Sequence, residues 1–210
     1  MQVPSPRLGV AVAEELIAGG VHDVVLAPGS RSAPLALALA DAERQGLLRL
    51  HVRIDERSAA YLALGLAKVS RSPVAVVTTS GTAAVNLHPA IVEAAYSGVP
   101  LIAVTADRPA HLRDSGANQT IDQRDLYGVD VSVSADLEGL DEAGVREAIA
   151  EAMRAAQDPA ARPIHLNVPL TEPLVAPGEH VVAATQRRDR HADERSGPAG
   201  APLTLSLIHI

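Results

Sequence analysis

Cysteine is absent from the 210 residues. That excludes disulfides, thiolate metal sites and a cysteine nucleophile, and it fits a cytoplasmic location. Phenylalanine and tryptophan are also absent and tyrosine occurs three times, so platforms for base stacking are lacking. The formal net charge is -7, from 18 basic and 25 acidic side chains, which argues against nucleic acid or an anionic membrane surface as a partner. No apolar run approaches the roughly 18 residues that span a bilayer. Glu14 and Glu15 interrupt the one N-terminal stretch apolar enough for a signal segment. The eight histidines are scattered, with no pair at helical ligand spacing, and no metal is assigned to them. Dinucleotide, Walker A and nucleophile-elbow patterns are missing, so Ser30, Ser32 and Ser80 lack the setting of a nucleophile.

The hydrophobic share of 47% against 20% charged residues describes a folded domain rather than a disordered chain. The length allows one such domain and a tail. Apolar strands are predicted at 23–27, 48–52, 73–78, 100–105 and 164–168, with a weaker candidate at 129–133. Helical patterns alternate with them. Ser5-Pro6 predicts an N-cap and first helical residue, with Leu8, Val12 and Leu16 one turn apart. Leu35, Leu39 and Ala42 mark a second helix, and Leu62, Leu66 and Val69 a third. A fourth carries Val85, Ile91 and Val92, and a fifth over 140–156 carries Val145, Ile149 and Met153. The expected architecture is a doubly wound α/β fold, a mostly parallel sheet of about six strands with helices on both faces. It occupies residues 1–178. A charged, Gly/Pro-rich linker is expected over 179–202, and the alternating apolar octapeptide 203–210 is expected to be a non-native or disordered tail.

Five loops follow predicted strands or connect them, and each carries polar groups: Pro28-Gly29-Ser30-Arg31, Asp55-Glu56, Ser80-Gly81-Thr82, Asp107-Arg108-Pro109 and Asn118-Gln119-Thr120. In open α/β sheets, ligands bind beyond the carboxyl ends of the strands. From the residues alone, Asp55 or Glu56 could simply cap the following helix, Asp55 being the better candidate. Thr82 could likewise cap its helix, Arg31 could form a surface ion pair, and Arg108 could pair with Asp107. Gly29 reads as backbone geometry, and Tyr61, Tyr96 and Tyr127 read as packing residues.

Taken together and in order, these motifs resemble the MenD family of thiamine-diphosphate enzymes, the 2-succinyl-5-enolpyruvyl-6-hydroxy-3-cyclohexene-1-carboxylate synthases of menaquinone biosynthesis. The resemblance runs from about residue 7 to about residue 175, which corresponds to the pyrimidine-binding domain. It implies thiamine diphosphate as cofactor, and Mg2+ (or Mn2+) at a Gly-Asp-Gly site that this chain does not contain. It implies decarboxylation of 2-oxoglutarate, addition of the resulting carbanion to isochorismate, and a homo-oligomer (dimer or tetramer) for the complete enzyme. Glu56 then shares a proton with the cofactor's aminopyrimidine, and Gln119 lies near the cofactor and the reacting intermediate as a hydrogen-bond donor. Gly81 and Thr82 contact cofactor, while Ser30, Arg31 and Arg108 bind substrate carboxylates. Asn118 is a weaker candidate. The isolated chain is expected to be inactive. Two alternatives stay open: a stand-alone binding or assembly half of a split thiamine-diphosphate enzyme, and a related 2-oxo acid carboligase.

Overall fold

Proline and glycine punctuate this chain at the ends of its elements. A computed structural model describes residues 3–156, 162–176 and 182. The strands are β1 (Asp23–Leu26), β2 (Arg49–Val52), β3 (Val74–Thr78), β4 (Leu101–Asp107), β5 (Val133–Asp136) and β6 (Ile164–Pro169). The helices are α1 (Ser5–Ala18), α2 (Ala33–Arg44), α3 (Glu56–Ser70), α4 (Thr82–Val85), α5 (His88–Ser97) and α6 (Glu142–Ala156). The six strands form one sheet in the order β2-β1-β3-β4-β6-β5. Every neighbouring pair is parallel, as in the register Leu26 opposite Val52 and Val77. This is the doubly wound fold expected from the alternation.

Alternate strand residues feed two cores. Val24, Leu26, Ala75, Val77, Ile102 and Val104 pack with α1, α2 and α6. Val25, Val74, Val76, Leu101 and Ala103 pack with α3 and α5 on the other face. The period of two is therefore apolar in both phases, as required for strands covered on both sides.

Several local expectations are corrected. Ser5 does not cap α1: Pro4 occupies the N-cap position, and no side chain caps there. Instead the Ser5 hydroxyl donates to the Thr171 carbonyl at 2.6 Å and accepts from the Thr171 N–H at 2.8 Å. Helix α3 buries Ala59, Ala60, Ala63, Leu64 and Ala67, leaving Leu62 and Leu66 half-buried and Val69 exposed. A stripe of alanines lets the helix approach the sheet closely, so its larger residues lie at the margin. The single helix expected around Val85 and Ile91 is divided into α4 and α5, with Pro89 in the first turn of α5. The strand expected at 129–133 begins at Val133, because residues Gly128–Asp130 form a 3-10 turn. Tyr127 is buried as a packing residue, but Tyr61 and Tyr96 are exposed.

The linker expected over 179–202 and the tail over 203–210 lie outside the described residues, save Val182. Val182 is buried, its N–H donating to Asp41 Oδ2 at 2.8 Å and its carbonyl accepting from Gln45 Nε2 at 2.9 Å.

Helices α1 and α6 are joined by an ion cluster. Arg146 lies 2.6 Å from Glu14, 3.3 Å from Glu15 and 3.0 Å from Glu142. Glu14 and Glu15 are themselves buried. Removing a cation beside buried carboxylates leaves their desolvation uncompensated. Arg146→Met is expected to cost about 2 kcal/mol, below the range for a fully buried pair because water reaches part of the guanidinium. Urea denaturation would record a lower midpoint at unchanged slope.

Candidate active site

The chain leaves β1 for β2 on one side and reaches β3 on the other, so the order of connection reverses between β1 and β3. Such a reversal opens a crevice at the carboxyl edge of a parallel sheet. The loops after these two strands meet there. A Cβ built on Gly29 would stand 2.5 Å from Thr79 Cβ, so only glycine permits this approach. Ser32, rather than Ser30, fastens the first loop: its hydroxyl donates to the Gly29 carbonyl at 3.0 Å and accepts the Gly29 N–H at 3.2 Å. Ser30 is exposed.

Glu56 is the first residue of α3. Asp55 is the N-cap, its Oδ1 accepting the Ser58 N–H at 2.7 Å. Capping thus belongs to Asp55, as the sequence favoured. Glu56 is half-buried and makes no hydrogen bond or ion pair among the described residues. Its carboxylate has no structural duty that would explain it.

Gly81 lies across the crevice with φ +80, and a Cβ there would stand 2.9 Å from Gln119 Cγ and 3.0 Å from the Gln119 carbonyl oxygen. Gln119 itself has φ 57. Its Nε2 donates to the Ser80 carbonyl at 2.9 Å, and its own carbonyl accepts from the Ser80 hydroxyl at 2.9 Å. These paired bonds fasten the 108–120 loop to the end of β3. One N–H of the Gln119 amide is therefore taken, leaving the other and Oε1. Thr82 opens α4 without capping it, since Gly81 holds the N-cap position, and Thr82 is exposed.

The two arginines fold inward. Arg31 is 5% exposed, donating from Nη1 to the Leu170 carbonyl at 2.8 Å with Nη2 3.4 Å from Glu172. Arg108 donates from Nη2 to the Asn118 carbonyl at 2.8 Å. The Nε of each is buried without a partner. Asp107 does not pair with the Arg108 guanidinium; its Oδ1 accepts the Arg108 backbone N–H at 2.7 Å, and its Oδ2 faces Arg113 at 3.2 Å. Asn118 contributes its carbonyl, and its side chain is exposed.

All the candidate residues thus lie along one edge of the sheet. The structure joins Gly81 to Gln119 directly and ties Arg108 to the same loop. Glu56 and Arg31 stand apart, beside β2 and against the end of β6 respectively.

A buried polar network behind these loops escaped the sequence reading. It joins Thr105, Asp107, Arg113, Gln123, Asp136, His165 and Asn167. Its signal was His165 and Asn167 at alternate positions of an otherwise apolar strand, opposite Ala103 and Thr105. Burial pushes the Asp107 carboxyl above its ordinary range despite its bond from Asn167 and the Arg113 charge. Burial also lowers His165 from 6.5 to about 4, leaving it neutral between Thr105 Oγ1 at 2.8 Å and Ser134 Oγ at 3.3 Å.

A base with a depressed folded pKa binds its proton more readily when unfolded, so its contribution to stability is present above 6.5 and lost as pH falls toward 4. The unsubstituted protein is therefore expected to lose about 3 kcal/mol more than His165→Gln over that window. Paired urea titrations at pH 7 and pH 4.5 test this; parallel curves would contradict it.

Among the described residues, no cluster of three or more His, Asp or Glu is placed to hold a metal ion, and no helix is long and apolar enough to cross a membrane. Residues 6–126 match the family model described as thiamine pyrophosphate enzyme, N-terminal TPP binding domain. The chain is 49% identical over 98% of its length to a 2-succinyl-5-enolpyruvyl-6-hydroxy-3-cyclohexene-1-carboxylate synthase of Saccharopolyspora erythraea, of which it covers 38%. It is 46% identical over 97% of its length to the synthase of Mycobacterium bovis, of which it covers 37%. The match to the Corynebacterium jeikeium synthase is 52% over 81% of the chain and 31% of the relative. The chain thus spans less than two fifths of the length of these relatives. The reversal between β1 and β3, a half-buried glutamate on the same carboxyl edge with no partner among the described residues, and the match over 6–126 lead to one assignment: the chain belongs to the thiamine pyrophosphate enzyme family, as its N-terminal cofactor-binding domain.

Proposed function

We propose that this chain is the pyrimidine-binding part of a 2-succinyl-5-enolpyruvyl-6-hydroxy-3-cyclohexene-1-carboxylate synthase, a cytoplasmic enzyme acting on 2-oxoglutarate and isochorismate. Its relatives carry that name over nearly the whole of this chain. The observation that carries the residue assignment is Glu56, whose carboxylate is half-buried at the carboxyl edge while Asp55 does the capping.

The residues present fit the pyrimidine end of thiamine diphosphate. Glu56 offers a carboxylate to a ring nitrogen, and Gln119 offers an amide N–H and Oε1. Gly29 and Gly81 let these loops close on Thr79 and Gln119, where a Cβ would intrude. Bound thiamine diphosphate would supply the electron sink for the carbanion left when a 2-oxo acid loses carbon dioxide. Glu56 holds a proton at the pyrimidine ring nitrogen, the protein's means of tuning the cofactor. Gly81 and Thr82, between β3 and α4, contact the cofactor. Ser30, Arg31 and Arg108 bind substrate carboxylates, the arginines through their guanidinium groups. The Mg2+ and diphosphate contacts are assigned to parts of the enzyme outside this chain, as is the second subunit of a homodimer.

In the complete enzyme, Glu56→Gln is expected to lower turnover of 2-oxoglutarate and isochorismate by about 10²–10⁴-fold. Folding is kept, because the cap stays with Asp55. Turnover within threefold of the unsubstituted enzyme would remove Glu56 from its role. Arg31→Ala is expected to raise the isochorismate requirement far more than the cofactor requirement, as steady-state titration of each would reveal. Equal losses would assign Arg31 to the fold alone.

A further inference from the structure

Gln123 is fully buried, and it lies in the loop that carries Gln119 without being one of the expected site residues. Its amide contacts three separate elements. Oε1 accepts the Gly81 N–H at 2.8 Å, while Nε2 donates to the Ala106 carbonyl at 3.2 Å and to Asn167 Oδ1 at 3.0 Å. One acceptor and two donors in one neutral group of this length describe an amide of glutamine and no other side chain. Glutamate would turn a charge toward two oxygens, and methionine would leave the Gly81 N–H without this acceptor. An unpaired buried backbone N–H is costly enough to move a loop.

The bonds run in one direction. Gly81 donates to Gln123, Gln123 donates to Asn167, and Asn167 Nδ2 donates to Asp107 Oδ2 at 2.9 Å and Asp136 Oδ1 at 3.2 Å. A backbone carbonyl only accepts, so Ala106 fixes which way the Gln123 amide faces, and Asp107 and Asp136 hold the Asn167 amide in the matching direction. With the Gln123 amide reversed, the Gly81 N–H would meet an NH2 group instead of an oxygen. Gly81 is the residue whose left-handed backbone touches Gln119. The adjacent Ser80 makes both bonds to Gln119.

We propose that Gln123 is a positioning residue that sets the Gly81 backbone, and through it the Ser80–Gln119 clasp, with the direction of its amide imposed by the Ala106 carbonyl and by Asn167. This rests on the reading of Gln119 as a site residue; Gln123 itself touches no reactant and acts through the clasp.

Two measurements test it. Amide hydrogen exchange by NMR on the unsubstituted 210-residue chain is expected to show Gly81 slowed at least a hundredfold relative to an unstructured peptide. Exchange within tenfold of that reference would overturn the proposal without any variant having to fold. In the complete enzyme, Gln123→Met and the isosteric Gln123→Glu are each expected to lower kcat by tenfold or more, with little change in KM for 2-oxoglutarate. Adding Gln119→Ala to either is expected to cost less than threefold further, since the clasp is already lost. Losses that multiply would show that Gln123 does not act through Gln119 and would overturn the proposal. The functional reading fails by a different result, normal turnover by Glu56→Gln.

Discussion

A parallel sheet brings the carboxyl ends of all its strands to one edge, and the backbone groups there have no further strand to bond. In this chain side chains close that edge. The Asn167 and Gln123 amides, Asp107 and Arg113 occupy the ends of β4, β5 and β6 and reach the start of α4. Buried polar groups of this kind stabilise a fold only when every member is satisfied. The network meets that condition at its centre; along the same edge, the buried atoms without a partner are Nε of Arg31, Arg108 and Arg113 and Oγ1 of Thr78 at the end of β3.

The two cores give this edge something rigid to stand on. Strands β1, β3 and β4 are apolar on both faces, so the sheet cannot slip by one residue without burying a helix contact on the wrong side. Loops at the reversal between β1 and β3 can then approach each other as closely as Gly29 and Thr79 do. Polar chemistry is carried on loops, and precision comes from the layers beneath them.

Much of this was legible in the sequence because it is local. Apolar runs gave five strands nearly to the residue, and the polar loops after four of them pointed to the edge where ligands bind. Asp55 as the cap beside Glu56 was also readable, since capping depends on neighbours a few positions apart. What escaped depends on distant partners. The 129–133 segment has strand-like residues, yet Val129 is exposed on a 3-10 turn and pairing starts at Val133. The leucines of α3 outweigh its alanines in any hydrophobic pattern, although close packing buries the alanines. Gln123 resembles any polar loop residue until β6 places Asn167 beside it, 44 positions away in the chain. For Arg31 the fold adds the Leu170 carbonyl and Glu172, distant partners that draw its guanidinium inward.

The most direct measurement is a crystal structure of the complete enzyme containing this chain with thiamine diphosphate bound. The Glu56 carboxylate is expected within about 2.7–2.9 Å of the pyrimidine ring nitrogen, the separation of a charge-assisted hydrogen bond. The Gln119 amide is expected on the same side of the ring. A pyrimidine bound elsewhere, or Glu56 turned to solvent with the cofactor in place, would contradict the assignment.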